Sequence, residues 1–125
     1  MAGATSENEW SVVTGQLPVV GDTSAITLEF HGFLAERLAA LGRRRGTRTL
    51  VAVPLEGSTS VANVLNHLVG IDERYALLYD AHAQLLPEHV EVVLNDRVLD
   101  LQGGLDAVLH PGDTLTFLPA HAGGI

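Results

Sequence analysis

One helical stripe, Val61, Val64, Leu65 and Leu68, is flanked on both sides by segments that alternate apolar and polar residues with a period of two. A single amphipathic helix has one apolar face to cover, and short alternating strands cover it by joining into a sheet. The chain must therefore pack one main helix across one small sheet. Gly57-Ser58-Thr59-Ser60 supplies N-cap candidates for that helix, and Gly70 is placed to end it.

The strands follow from the same kind of pattern. Ile26, Leu28 and Phe30 alternate with Thr27, Glu29 and His31, which predicts a strand with one buried face. Phe33, Leu34, Arg37, Leu38 and Leu41 then recur at helical spacing up to Gly42. Arg43-Arg44-Arg45 with Arg48 reads as a solvated loop, and residues 49–53 as a second strand stopped by Pro54. Residues 75–79 fit either a short strand or a turn of helix. Val92-Val93-Leu94 is followed by the turn residues Asn95-Asp96 and then Arg97-Val98-Leu99. His110-Pro111-Gly112-Asp113 is a strong turn signal, after which residues 114–118 form a last strand with Leu115 and Phe117 on one face. Pro119 ends it, because proline cannot continue a ladder. This order predicts an α+β domain. In its compact solution the first and last strands lie parallel at the centre, joined through the helix, which is the β-grasp or ubiquitin-like topology.

Composition narrows the function. The 125 residues are 46% hydrophobic, enough for one domain with a real core. Residues 1–24 carry Glu7, Glu9 and Asp22 and lack periodicity, so they read as a flexible extension, with Trp10 as a docking residue or an incidental contact. They have no basic stretch followed by an apolar one, so they are no secretory signal, and a cytoplasmic location is expected. No apolar run is long enough for a membrane span. The absence of cysteine excludes thiolate chemistry, and a net charge of −8 speaks against a nucleic-acid partner. All seven basic residues are arginine, so no lysine of this chain can be acylated. Six histidines are present, of which His82 and His89 flank Glu88, but their spacing matches no metal-ligand pattern and surface histidines are the expectation. The pair Asp72-Glu73 reads as a solvated helix end, and Gly103-Gly104 as a turn without the lysine of a phosphate loop.

Taken together, the strand and helix of residues 26–41, the capped helix of residues 58–69, the run Val92-Val93-Leu94-Asn95-Asp96-Arg97 and the segment from His110 to Pro119 leading to Gly123-Gly124 resemble the MoaD/ThiS family of sulfur carrier proteins. The resemblance spans about residues 25–124, and residues 1–24 and Ile125 fall outside it. It implies a β-grasp domain over residues 25–119 and a flexible diglycine tail over residues 120–125. It also implies that the chain is no enzyme and binds no cofactor. An activating enzyme of the ubiquitin-activating kind would use ATP to adenylate the Gly124 carboxylate. A sulfur donor would then convert the adenylate to a thiocarboxylate, for delivery to a cofactor precursor or a nucleoside. Gly123 and Gly124 suit a narrow enzyme channel because they carry no Cβ.

Ile125 stands where the glycine carboxylate belongs. The resemblance therefore implies a precursor cut between Gly124 and Ile125 by a processing protease, for which the JAMM metalloproteases are the expected class. Phe117, Leu118 and Pro119, at the root of the tail, are candidates for partner docking. Phe117 also reads as core, and Leu118, on the opposite face, is the better exposed contact. Two other functions fit the same tail: a ubiquitin-like modifier joined through Gly124 to lysines of target proteins, and a β-grasp interaction module whose Gly-Gly-Ile is incidental. By composition alone, a diglycine at a given position arises about once in a hundred.

Overall fold

A computed structural model describes residues 25–55 and 57–120. The expected N-terminal extension, residues 1–24, and the tail residues after Ala120 lie outside them. The first strand, β1 (Ala25–Phe30), pairs antiparallel with β3 (Arg48–Pro54) and parallel with β8 (Thr114–Pro119). Between β1 and β3 run a short helix, α1 (Phe33–Arg37), a 3-10 turn and the edge strand β2 (Arg43–Arg45). The main helix α2 (Val61–Ile71) follows a two-residue strand, β4 (Thr59–Ser60). Beyond it come β5 (Val90–Leu94), β6 (Arg97–Val98) and β7 (Val108–Leu109). The large sheet has the order β2-β3-β1-β8-β5-β6, and β4 pairs with β7 in a separate ribbon. The two parallel strands are central and one main helix crosses the sheet, as the α+β, β-grasp expectation requires.

The core forms where the two periodicities meet. Val61, Val64, Leu65 and Leu68 of α2 are buried against Ile26, Leu28 and Phe30 of β1 and Leu115 and Phe117 of β8. Ser60 caps α2 by accepting a hydrogen bond from the Asn63 backbone N–H at 3.1 Å. Thr49, a polar residue in this interior, donates its hydroxyl to the Ala35 carbonyl at 2.7 Å and so ties β3 to α1.

Two sequence expectations need correction, and one open alternative is decided. Gly70 does not end α2; the helix continues through Ile71 to Asp72. Asp72 stops it because its carboxylate accepts the backbone N–H of Arg74, which starts a new turn. That turn is 3-10 helix over Glu73–Leu77, so the helical alternative holds for residues 75–77, while Leu78 and Tyr79 lie beyond it in neither helix nor strand. The arginine segment is exposed, as expected, but it is an edge strand rather than a loop: Arg43 to Arg45 pair with Leu50 to Arg48. Charged side chains on an edge also discourage pairing with other chains.

Tyr75 is almost fully buried and its hydroxyl has no hydrogen-bond partner among the described residues. Burial, helped by the Asp72 carboxylate, pushes its pKa well above the ordinary tyrosine value. The folded state thus holds this proton more tightly than the unfolded state. The stability it contributes is complete below about pH 10 and is lost as pH rises further. The chain has no lysine or cysteine to titrate in that range. Tyr75→Phe is expected to flatten the alkaline limb of a urea-denaturation pH series and to leave stability at pH 7 unchanged or raised by about 1 kcal/mol, because an unsatisfied buried hydroxyl is removed.

Candidate functional site

The root of the tail is built at one corner of the sheet. In the register of β8 with β5, Leu118 lies opposite Glu91 and Pro119 opposite Val90. The Ala120 N–H continues this ladder by donating to the His89 carbonyl at 2.8 Å. Ala120, expected in the flexible tail, is therefore tied to the body. The expected stop at Pro119 is corrected: the proline has no N–H to donate, but it still pairs opposite Val90 and the ladder runs on through the N–H of its neighbour.

The other wall of this corner is Gly32, between β1 and α1. Its φ is +60°, and a Cβ there would stand 2.7 Å from Cγ of Pro119. Only a bare backbone lets the proline ring in. Gly32→Ala is expected to cost about 1–3 kcal/mol, since it adds both a clash and a backbone conformation that is nearly glycine-only. A thermal melt measures that cost, and NMR shifts of Ala120 report whether the tail root moves. Beside Gly32, the exposed ring of Phe33 packs on His89 at a centroid distance of 6.1 Å. His89 also holds Nε2 at 2.9 Å from the Leu77 carbonyl. Sequence reasoning missed the Gly32, Phe33 and His89 corner. The available signal was Phe33 itself, an aromatic residue directly after a glycine at a helix start.

Of the three candidate docking residues, the structure separates one from the others. Phe117 is fully buried, its ring 5.6 Å from that of Phe30. Its docking assignment is corrected: an inward position in a central strand belongs to the core. Leu118 and Pro119 are half-buried and reach the surface. Leu118 shares the outer face of the sheet with Thr116, which donates to Glu29 at 3.2 Å, and Glu29 also accepts from Arg48. The outer face thus joins an apolar spot near the tail to a bonded polar cluster.

A second feature fixes where β8 begins. Asp113 accepts the backbone N–H of His110 at 2.8 Å and the side-chain amide of Asn95 at 3.1 Å. Asn95, at a positive φ of 58°, in turn accepts from the Thr114 N–H at 3.0 Å. The two turn motifs are therefore bonded to each other, which sets the register that brings Pro119 to its corner. Gly123, Gly124 and Ile125 lie outside the described residues. Among the described residues, no group of three or more His, Asp or Glu is placed to hold a metal ion. No described helix is long and apolar enough to cross a membrane.

The parallel central pair, the single helix and the turn-strand-proline corner define a ubiquitin-like β-grasp protein. More particularly, residues 44–124 match the ThiS family, and the chain belongs to that family. Its fold is similar to that of Urm1 from Trypanosoma brucei, with 30% identity over 81% of this chain and 96% of that one and a TM-score of 0.50. It is also similar to SAMP1, a small archaeal modifier protein, from Haloferax volcanii. That match has 22% identity over 80% of this chain and 99% of that one, with a TM-score of 0.56. A structure of a BexX/CysO complex from Amycolatopsis orientalis matches with 24% identity over 80% of this chain and 100% of that one, at a TM-score of 0.51. Curated protein sequences give no significant match.

Proposed function

We propose that the chain is a sulfur carrier whose working end is Gly124. Removal of Ile125 exposes the Gly124 carboxylate, an activating enzyme adenylates it at the expense of ATP, and a sulfur donor displaces AMP to leave a thiocarboxylate. The observation that carries this reading is the extent of the family match, which runs through Gly124 and leaves Ile125 outside. A carboxylate is a poor electrophile, and the acyl-adenylate supplies the missing leaving group. The carrier contributes position rather than catalysis: β8 ends at a fixed corner, and glycines follow that can enter a narrow channel.

In this reading the activating enzyme docks on the outer face around Leu118 and Pro119, next to the polar cluster of Glu29, Arg48 and Thr116. The likeness to a chain crystallised as part of a BexX/CysO complex is in keeping with a partner-bound working state. A second reading, conjugation through Gly124 to lysines of other proteins, is favoured by the fold shared with an archaeal modifier protein. Because this chain has no lysine, such conjugates could not branch on it. Incubation of the chain ending at Gly124 with its activating enzyme, ATP and sulfide separates the two. A terminal thiocarboxylate supports the carrier, and isopeptide-linked targets support the modifier. Absence of both products sinks the two readings together.

A further inference from the structure

Charge is unevenly placed along this chain. Residues 36–48 hold five of the seven arginines and one carboxylate, Glu36, a local charge of +4 in a chain of −8, so the remaining residues carry −12. Arg43, Arg44, Arg45 and Arg48 are all exposed. Among the described residues, only Arg48 of these four has a carboxylate partner, Glu29.

Register places this group at the tail end of the sheet. Phe30 pairs with Thr49 on one side and with Phe117 on the other, and Arg45 pairs with Arg48. Arg48 and Leu118, each one residue further toward the same end, therefore stand two strands apart, about 10 Å. Arg45 and Arg48 also frame a pocket of about 200 Å³, with Thr27, Glu29, Leu50 and Thr114 completing its walls. Glu29 lies on the outer face of the sheet, so the pocket opens there. One Glu29 oxygen is met by Arg48 and the other accepts from Thr116, so Arg43, Arg44 and Arg45 leave the edge with a net positive charge.

We propose that this arginine edge docks an acidic face of the activating enzyme, with an Asp or Glu side chain of that enzyme seated between Arg45 and Arg48. The inference rests on the carrier reading and gives its docking face a partner charge and an orientation. An acidic partner is repelled by the rest of the chain and attracted most at this edge. Encounter is thereby steered to the orientation in which Leu118 and Pro119 also face the enzyme. Guanidinium groups bind a carboxylate through a two-bonded fork, and two of them beside one pocket fix its position. Nucleic acid fits less well, because a run of phosphates leaving this three-residue strand meets the negative remainder of the molecule.

Kinetics of thiocarboxylate formation with the activating enzyme and ATP, on chains ending at Gly124, test this. Arg43→Glu with Arg45→Glu is expected to raise KM about 10-fold or more at about 50 mM NaCl, with kcat within about twofold, because encounter is lost and the chemistry is not. At about 300 mM NaCl the difference is expected to shrink, as screening weakens attraction and repulsion alike. Arg43→Gln with Arg45→Gln, which removes the charges without reversing them, is expected to give an intermediate rise. Arg74→Glu with Arg97→Glu makes the same change in net charge away from the edge and is expected to keep KM within about threefold of the parent. Melting temperatures establish that each variant is folded.

A KM unchanged in both edge variants overturns the proposal, and so does an equal rise in the Arg74 and Arg97 control. So does binding of a short single-stranded RNA that the edge variants lose, which would assign the edge to nucleic acid. An edge effect that vanishes when residues 1–24, with Glu7, Glu9 and Asp22, are removed would assign it to this chain's own extension and likewise overturns the proposal. A parent chain that forms no thiocarboxylate sinks the carrier reading alone. The edge is then read from the Kd of the same variants for the enzyme, where a rise of about 10-fold is expected and equal values overturn the proposal.

Discussion

Phe117→Ala is expected to lower the unfolding free energy by about 3–5 kcal/mol, a large share of a domain stability of about 5–15 kcal/mol. Phe117 is fully buried, lies beside Phe30 in the parallel pair and opposite Val92 in the antiparallel one. Its removal leaves a hole where the two central strands meet the helix. Its neighbour Leu118, on the outer face and only half-buried, is expected to cost about 1 kcal/mol on the same change, since little apolar area is lost. Urea denaturation of both variants checks the pair. Equal losses would contradict the assignment of Phe117 to the core and Leu118 to the surface.

The second large effect concerns chemistry rather than stability. In a chain ending at residue 124, Gly124→Ala is expected to slow thiocarboxylate formation about 100-fold, with the melting temperature unchanged. A methyl group at the reacting residue restricts its φ and displaces the carboxylate from in-line attack on ATP, and displacements of about 1 Å cost this much in well-oriented reactions. Rates measured by mass spectrometry with the activating enzyme test it. An alanine-terminated chain that reacts as fast as the glycine-terminated one would remove the reason for the diglycine.

These two positions also mark how far the sequence can be read. The alternation of Ile26, Leu28 and Phe30, the stripe on α2, and the inward Leu115 and Phe117 all reflect local periods, so β1, α2 and β8 are legible in the residues themselves, whereas the end of β8 is not, because the ladder passes Pro119 to Ala120. Nor is the helix end. Gly70 is a good terminator in isolation, but Asp72 wins because its carboxylate binds the Arg74 N–H and side chain. The edge strand β2 is hidden because three successive arginines show no apolar alternation. The β4–β7 ribbon is hidden because two-residue strands have no period at all. In the site, the Pro-Gly-Asp turn and the Asn95 turn are each visible, but their bond through Asp113 and Asn95 is a long-range fact. The same is true of the fit between Gly32 and Pro119. The diglycine is legible as a motif, whereas the corner around Pro119 and Ala120 is legible only in three dimensions.

The central claim is that Gly124, not Ile125, is the working terminus. Intact-mass analysis of the protein purified from its native host tests this most directly. The account predicts a species lacking Ile125, with a fraction in which one terminal oxygen has been exchanged for sulfur. A population that retains Ile125 throughout, while sulfur transfer or conjugation proceeds, would contradict it.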